Sequence, residues 1–300
     1  MNKKKLDELQ IYSGIDTLEI SSDNEPLLTS EQVPYIPKKI SKNPKTDKYY
    51  TKLNPDKANN GLQIYNYDTY SKVCDMMIDQ LGLVNPIKTR IDFRFDSFDN
   101  NTYENLLKLN KVIILLLSQE CKMGNRYQSI DPLTLDSLTI RAQSTDFEAE
   151  NYNKAIQEPN GDVKSRLELR SKKLNNSNTA EHNKEIIALN KWLDKLDKAV
   201  TKYNFNKLQD LINVSILNKY QIEKDIKGFK LSSFIYKYQD SIFTSRQMAN
   251  LYESMGSKNP KQQAKNYKVR HKIEYFSFND LKIYVDKIKE SGKNFIEFEI

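Results

Sequence analysis

Histidine and cysteine are nearly absent. His182 and His271 are the only two histidines in 300 residues and stand far apart, so no His-rich metal site can form within one chain. The two cysteines, Cys74 and Cys121, are as isolated, which suits reduced core thiols and excludes a thiolate metal cluster. Any metal has to be held by carboxylates, which points to magnesium or manganese rather than zinc. Long apolar runs are also missing. The longest, Val112 to Leu117, is far too short to span a bilayer. The basic start, Met1-Asn2-Lys3-Lys4-Lys5, is not followed by the apolar segment of a signal peptide. The expectation is a cytoplasmic protein with no membrane partner.

The chain contains 38% hydrophobic and 29% charged residues, enough for a real core, and its length allows more than one domain. The formal charge of +7 favours a polyanionic partner, nucleic acid first.

Alternation marks the strands. In Thr89-Arg90-Ile91-Asp92-Phe93-Arg94-Phe95-Asp96, the residues Ile91, Phe93 and Phe95 fall on one face and Asp92, Arg94 and Asp96 on the other. Neighbouring side chains on that face stand about 7 Å apart, so Arg94 lies between the two carboxylates, and the face is expected to hold either a divalent cation or an arginine. Arg166-Leu167-Glu168-Leu169-Arg170 repeats the pattern. Further strands are expected at 14–21, 49–53, 62–65, 133–143, 147–153 and 163–170. Helical periodicity covers 68–81, with Asp68 as N-cap and Gly82 as stop, and 102–119, whose leucines and isoleucines form a broad apolar stripe. The sum is an α+β fold: a mostly antiparallel sheet with flanking helices. Composition turns polar near residue 172. Three parts follow: an α+β domain over 1–172, a helical connector over 173–235, and a C-terminal module over 236–300.

That module carries a basic run. Thr244 or Ser245 caps a helix to about 254, Gly256 to Pro260 makes a turn, and a second helix runs over 261–273. From Lys258 to Lys272 every charge is positive: Lys258, Lys261, Lys265, Lys268, Arg270 and Lys272. Gln262, Gln263 and Asn266 interleave amides that suit adenine edges, while the cations suit phosphates. This spacing predicts a helix-turn-helix module, winged if 294–300 forms a closing strand, with double-stranded DNA as partner.

The order of motifs resembles the Rep_trans (replication initiation factor) family, the rolling-circle plasmid initiators of Gram-positive bacteria with related relaxases. Asn54-Pro55-Asp56-Lys57, a helix and Thr89–Asp96 are followed by Tyr152-Asn153-Lys154 and by Arg166-Leu167-Glu168-Leu169, covering about 14–172. The resemblance implies a derivative of the HUH-type nicking fold and a plasmid or mobile-element replication initiator. In that family a tyrosine attacks an origin phosphodiester with help from a metal. By position, Asp92, Asp96 and Glu168 would be the metal carboxylates. Arg94, Arg166 and Arg170 would bind phosphate, and Lys154 would stand at the catalytic centre. The family nucleophile precedes the Tyr-Asn-Lys motif in a Tyr-hydrophobic-Gly setting, where this chain reads Leu138-Thr139-Ile140-Arg141. Tyr127 and Tyr152 are the alternatives. Two readings follow. One is a nicking-joining endonuclease using Mg2+ or Mn2+. The other is a non-catalytic origin or operator binder that needs no cofactor. Either admits a host helicase and a homodimer as partners.

Overall fold

The computed structural model describes residues 6–28, 36, 40–99, 103–121, 141–174 and 184–297. Seven strands form one antiparallel sheet: β1 (Tyr12–Ser22), β2 (Ser41–Lys42), β3 (Tyr49–Leu53), β4 (Ile87–Ser97), β5 (Arg141–Gln143), β6 (Phe147–Asn153) and β7 (Ser165–Ser171). Their spatial order is β2-β3-β1-β4-β7-β6-β5. The helices are α1 (Pro55–Ala58), α2 (Tyr67–Gln80), α3 (Tyr103–Glu120), α4 (Lys154–Gln157), α5 (Lys184–Ala199), α6 (Lys202–Glu223), α7 (Leu231–Lys237), α8 (Ser245–Ser254), α9 (Pro260–His271) and α10 (Phe278–Glu297). The architecture is the expected α+β arrangement with a helical C-terminal part. None of the described helices is long and apolar enough to cross a membrane.

Register follows the alternation. Ile15 pairs with Phe93, Phe93 with Leu169 and Phe95 with Leu167, so one face of the sheet is apolar and fully buried. Helices α3, α5 and α10 cover it. The indole of Trp192 on α5 donates to Ser171 Oγ at 3.1 Å. The hydroxyl of Tyr284 on α10 donates to Asn110 Oδ1 on α3 at 2.7 Å. The last helix thereby returns to the first strand: Ser13 and Ser291 share a hydrogen bond of 2.8 Å. Gly292 allows this approach, because a Cβ there would stand 3.2 Å from Leu193 and 3.7 Å from Phe95.

Local signals explain the helix ends. Asn66, not Asp68, caps α2 by accepting from Thr69 N at 2.8 Å. Gly82 terminates that region at φ +55°. Thr244 caps α8, accepting from Gln247 N at 3.0 Å.

Two strand expectations fail as well. Residues 62–65 form no strand, because Ile64 and Tyr65 are held over Arg94 instead of pairing with an edge. The wing is also absent over 294–297, where α10 continues to Glu297. Phe295 explains the extension, for it is buried edge-on against Tyr67, an anchor available only to a helix packed on this core. Of the strand expected over 133–143, only Arg141–Gln143 is described, and residues 298–300 lie outside the described part.

Docking of α10 is testable. Gly292→Leu places a side chain where Leu193 and Phe95 stand, and urea unfolding should show a loss of about 1–3 kcal/mol. Unchanged stability would mean that α10 is not seated on the sheet.

Candidate nucleic-acid interface

The second face of the sheet is a lattice of opposite charges. On β4 and β7, Asp92 stands opposite Arg170, Arg94 opposite Glu168, and Asp96 opposite Arg166. On β6, Glu148, Glu150 and Tyr152 continue these three rows. Each strand alternates, the strands are antiparallel, and the β4–β7 register sets unlike charges opposite each other in all three rows, while on β6 Glu148 faces Arg170 but Glu150 faces Glu168. Asp92, Asp96 and Glu168 therefore share one face.

Arginines fill the spaces between them. Arg90 binds Asp92 through two hydrogen bonds of 2.8 and 2.7 Å, and Arg170 Nε lies 3.2 Å from the same carboxylate. Arg166 grips Asp96 at 2.7 and 3.0 Å and reaches Asp16 at 2.7 Å. Asp16 comes within reach because a bulge between Ile15 and Thr17 sets it out of the β1 ladder. Arg170 donates to Glu168 at 2.5 Å and to the Tyr152 hydroxyl at 2.7 Å, and it also binds Glu148. Arg94, fully buried, binds Asp56 of α1, donates to the Ile64 carbonyl at 3.2 Å, and carries the ring of Tyr65 at 5.3 Å. Gly14 makes room for this strap, since a Cβ there would meet Ile64 O at 2.5 Å and Arg94 at 2.9 Å.

This donor set does not suit a divalent cation. Asp92, Asp96 and Glu168 each already accept from a guanidinium, and among the described residues no group of three acidic, histidine or cysteine side chains is arranged to hold a metal. Of the two fillings expected for this face, arginine is the one present. Arg94, Arg166 and Arg170 are equally committed, so a phosphate would have to displace a carboxylate from each.

Electrostatics agree with a closed lattice. Burial, then the nearby charge of Asp16, pushes the Glu168 carboxyl up to about 8 against the pull of Arg170 and Arg166. Those arginines are shared with Asp92, Asp96, Asp16 and Glu148, which weakens their pull on Glu168. Burial opposes the charge of Asp16, yet Arg166 and Arg94 hold its carboxyl below the ordinary range. Burial outweighs Arg90 and Arg170 at Asp92 and raises it. Tyr152 is pushed well above a free phenol by burial and by the Glu168 carboxylate. A phenol that keeps its proton and accepts from Arg170 is a poor nucleophile. Lys154 opens α4, pairs with Glu158 at 2.9 Å and lies over the Tyr152 ring at 5.7 Å. Tyr127 lies outside the described residues.

The basic helix has the opposite character. α8 and α9 pack on each other and are joined by residues 255–259, with Gly256 at φ +86° and Pro260 opening α9. Only Ala264 and Tyr267 of α9 are buried. Lys258, Lys261, Gln262, Lys265, Asn266, Lys268, Arg270 and Lys272 are all exposed, and none of these cations pairs with a carboxylate among the described residues. Lys268 lies over the Tyr275 ring at 5.7 Å, and Gln262 donates to Asn266 at 2.8 Å, lining up two amides one turn apart.

Sequence reasoning did not single out Asp16, Asp56, Arg90 or Glu148. Asp56 stood in the Asn54-Pro55-Asp56-Lys57 motif without a role, and alternation with Asp92 marked Arg90. Asp16 becomes visible only through the bulge, and Glu148 only through the β6–β7 register.

No protein-family model matches the chain, and no curated protein matches it. Among solved structures, the rolling circle replication initiator protein from Geobacillus stearothermophilus is similar at 12% identity, over 59% of this chain and 79% of that one, with a TM-score of 0.27. Superposition that loose fixes neither family nor activity.

Two measurements probe the lattice. In the unfolded chain Glu168 ionises near 4.5, whereas in the folded one it keeps its proton to about 8. Between these values the folded state binds the extra proton, so stability contributed below 4.5 is lost as pH rises through the window. Glu168→Gln should flatten the decline in unfolding free energy across that range, and equal pH profiles would contradict the assignment. Arg170→Met leaves buried carboxylates unpaired and should cost about 3–5 kcal/mol in urea unfolding. A loss below about 1 kcal/mol would place these ion pairs in the solvent-screened class.

Proposed function

We propose that this protein is a DNA-binding replication initiator that engages duplex DNA through α9 and holds its charged sheet as a rigid scaffold rather than as a nicking centre. One observation carries the reading: α9 presents exposed charge of a single sign, unpaired among the described residues, with amides interleaved. Charge paired within a protein is not available to phosphate, so the ion-paired arginines of the sheet are poor candidates and the free cations of α9 are good ones. Pro260 and the Gly256 turn set α9 as the second helix of a helix-turn-helix pair, the position that enters a major groove. Lys261, Lys265 and Arg270 then neutralise phosphates, and Gln262 and Asn266 meet base edges.

The initiator role rests on the order of the three motifs in the sheet. The non-nicking form rests on the occupied carboxylates and the protonated Tyr152. No metal step is therefore invoked.

The test combines binding and cleavage. Affinity for duplex DNA should fall linearly with the logarithm of salt concentration. A triple change Lys261→Gln, Lys265→Gln, Arg270→Gln should reduce that slope by about 2.7, at roughly 0.9 per lost phosphate contact. Supercoiled plasmid carrying the element's own origin should remain closed with Mg2+ or Mn2+ present. Relaxation that vanishes in Tyr127→Phe or Tyr152→Phe would replace this reading with the nicking one.

A further inference from the structure

A second basic surface lies away from α9, on α5. Lys184, Lys191, Lys195 and Lys198 follow spacings of seven, four and three residues and so fall on one stripe of that helix. None of the four is paired with a carboxylate among the described residues. The helix's own acids are mostly committed elsewhere: Glu185 is buried against Lys88 at 2.5 Å, and Asp197 is held by Lys289 at 2.6 Å, leaving Asp194 on the neighbouring line. Between Lys184 and Lys191 of this row and the end of the β6–β7 pair lies a shallow cavity of ≈ 150 Å³, lined on the strand side by Phe147, Ser171, Lys173 and Asp146. Lys173 is paired with Asp146 at 2.6 Å.

We infer that this groove is a second contact for the DNA backbone, separate from the base-reading helix. Charge complementarity selects the partner. From Lys184 to Lys198 the row rises about 21 Å at 1.5 Å per residue. That length is enough for the four cations to reach several backbone phosphates. The aromatic ring in the groove argues for backbone rather than for stacked bases. Phe147 has Lys195 over its face at 4.4 Å and stands edge-on to Trp192 at 5.2 Å, so its π-surface is already covered. Neither element belongs to α8 or α9, so the charge of this groove is independent of theirs.

The experiment measures anisotropy of the full-length chain on a duplex of about three helical turns across a sodium chloride series. The variant Lys184→Gln, Lys191→Gln, Lys198→Gln leaves Lys195 on Phe147. Its far-ultraviolet spectrum and thermal midpoint should match the parent. Its salt slope should fall by about 2.7, and the corresponding triple Lys→Arg variant should restore it. A slope unchanged within about 0.5 would overturn the inference. If that result came with a reduced slope in the α9 variant, α9 would remain the contact and only the groove would fail. A loss confined to the α5 variant would retain the groove and reject α9. A loss in the α5 variant that Lys→Arg fails to restore would show that positive charge is not the cause, which also overturns the inference.

Discussion

The pairing of β4 with β7 is the constraint on which the rest depends. Three acid–arginine couples stand opposite each other across that pair, Asp92 and Arg170, Glu168 and Arg94, Asp96 and Arg166, while Ile91, Phe93 and Phe95 face the core. A slip of one residue would turn every ion into the apolar layer and every apolar side chain out of it. Register is thus specified twice, once by burial and once by charge. Buried ion pairs are weak contributors to net stability, because desolvation consumes most of the Coulomb gain. Their value here is specificity: the wrong pairing strands several carboxylates without a cation.

That lattice separates this sheet from a metal centre. Carboxylates alternating along a strand present the same sequence pattern whether a cation or a guanidinium sits between them. The difference lies in the strand next door. β7 delivers arginines at the positions opposite Asp92 and Asp96, and β1 adds the bulged Asp16 beside Arg166. The arginines of the charged face are consequently committed to its carboxylates, whereas among the described residues α9 and α5 carry rows of cations with no carboxylate partner. A protein that binds a polyanion with its exposed helices and keeps its sheet ion-paired divides recognition from scaffolding.

Much of the fold was legible before the structure. Alternation located β1, β4 and β7, and helical periodicity located α2, α3 and α8, because each gathers its apolar residues on one face or stripe. Failures came where tertiary contacts overrode local pattern. Residues 62–65 alternate like a strand, but Arg94 captures the Ile64 carbonyl and the Tyr65 ring. Residues 294–297 look like a closing strand, but Phe295 anchors them as helix against Tyr67. Site residues divided the same way. Asp92, Arg94, Asp96, Arg166, Glu168 and Arg170 were identifiable from alternation, whereas their mutual pairing is a property of register that one strand alone does not carry.

The central claim is that arginines, not a divalent metal, occupy the spaces between the sheet's carboxylates. Titration of the folded protein with Mn2+, followed by calorimetry and by paramagnetic broadening of resonances from β4 and β7, tests it directly. The account predicts no saturable heat and no selective broadening around Asp92, Asp96 and Glu168. Stoichiometric Mn2+ binding that disappears in Asp96→Asn would contradict it.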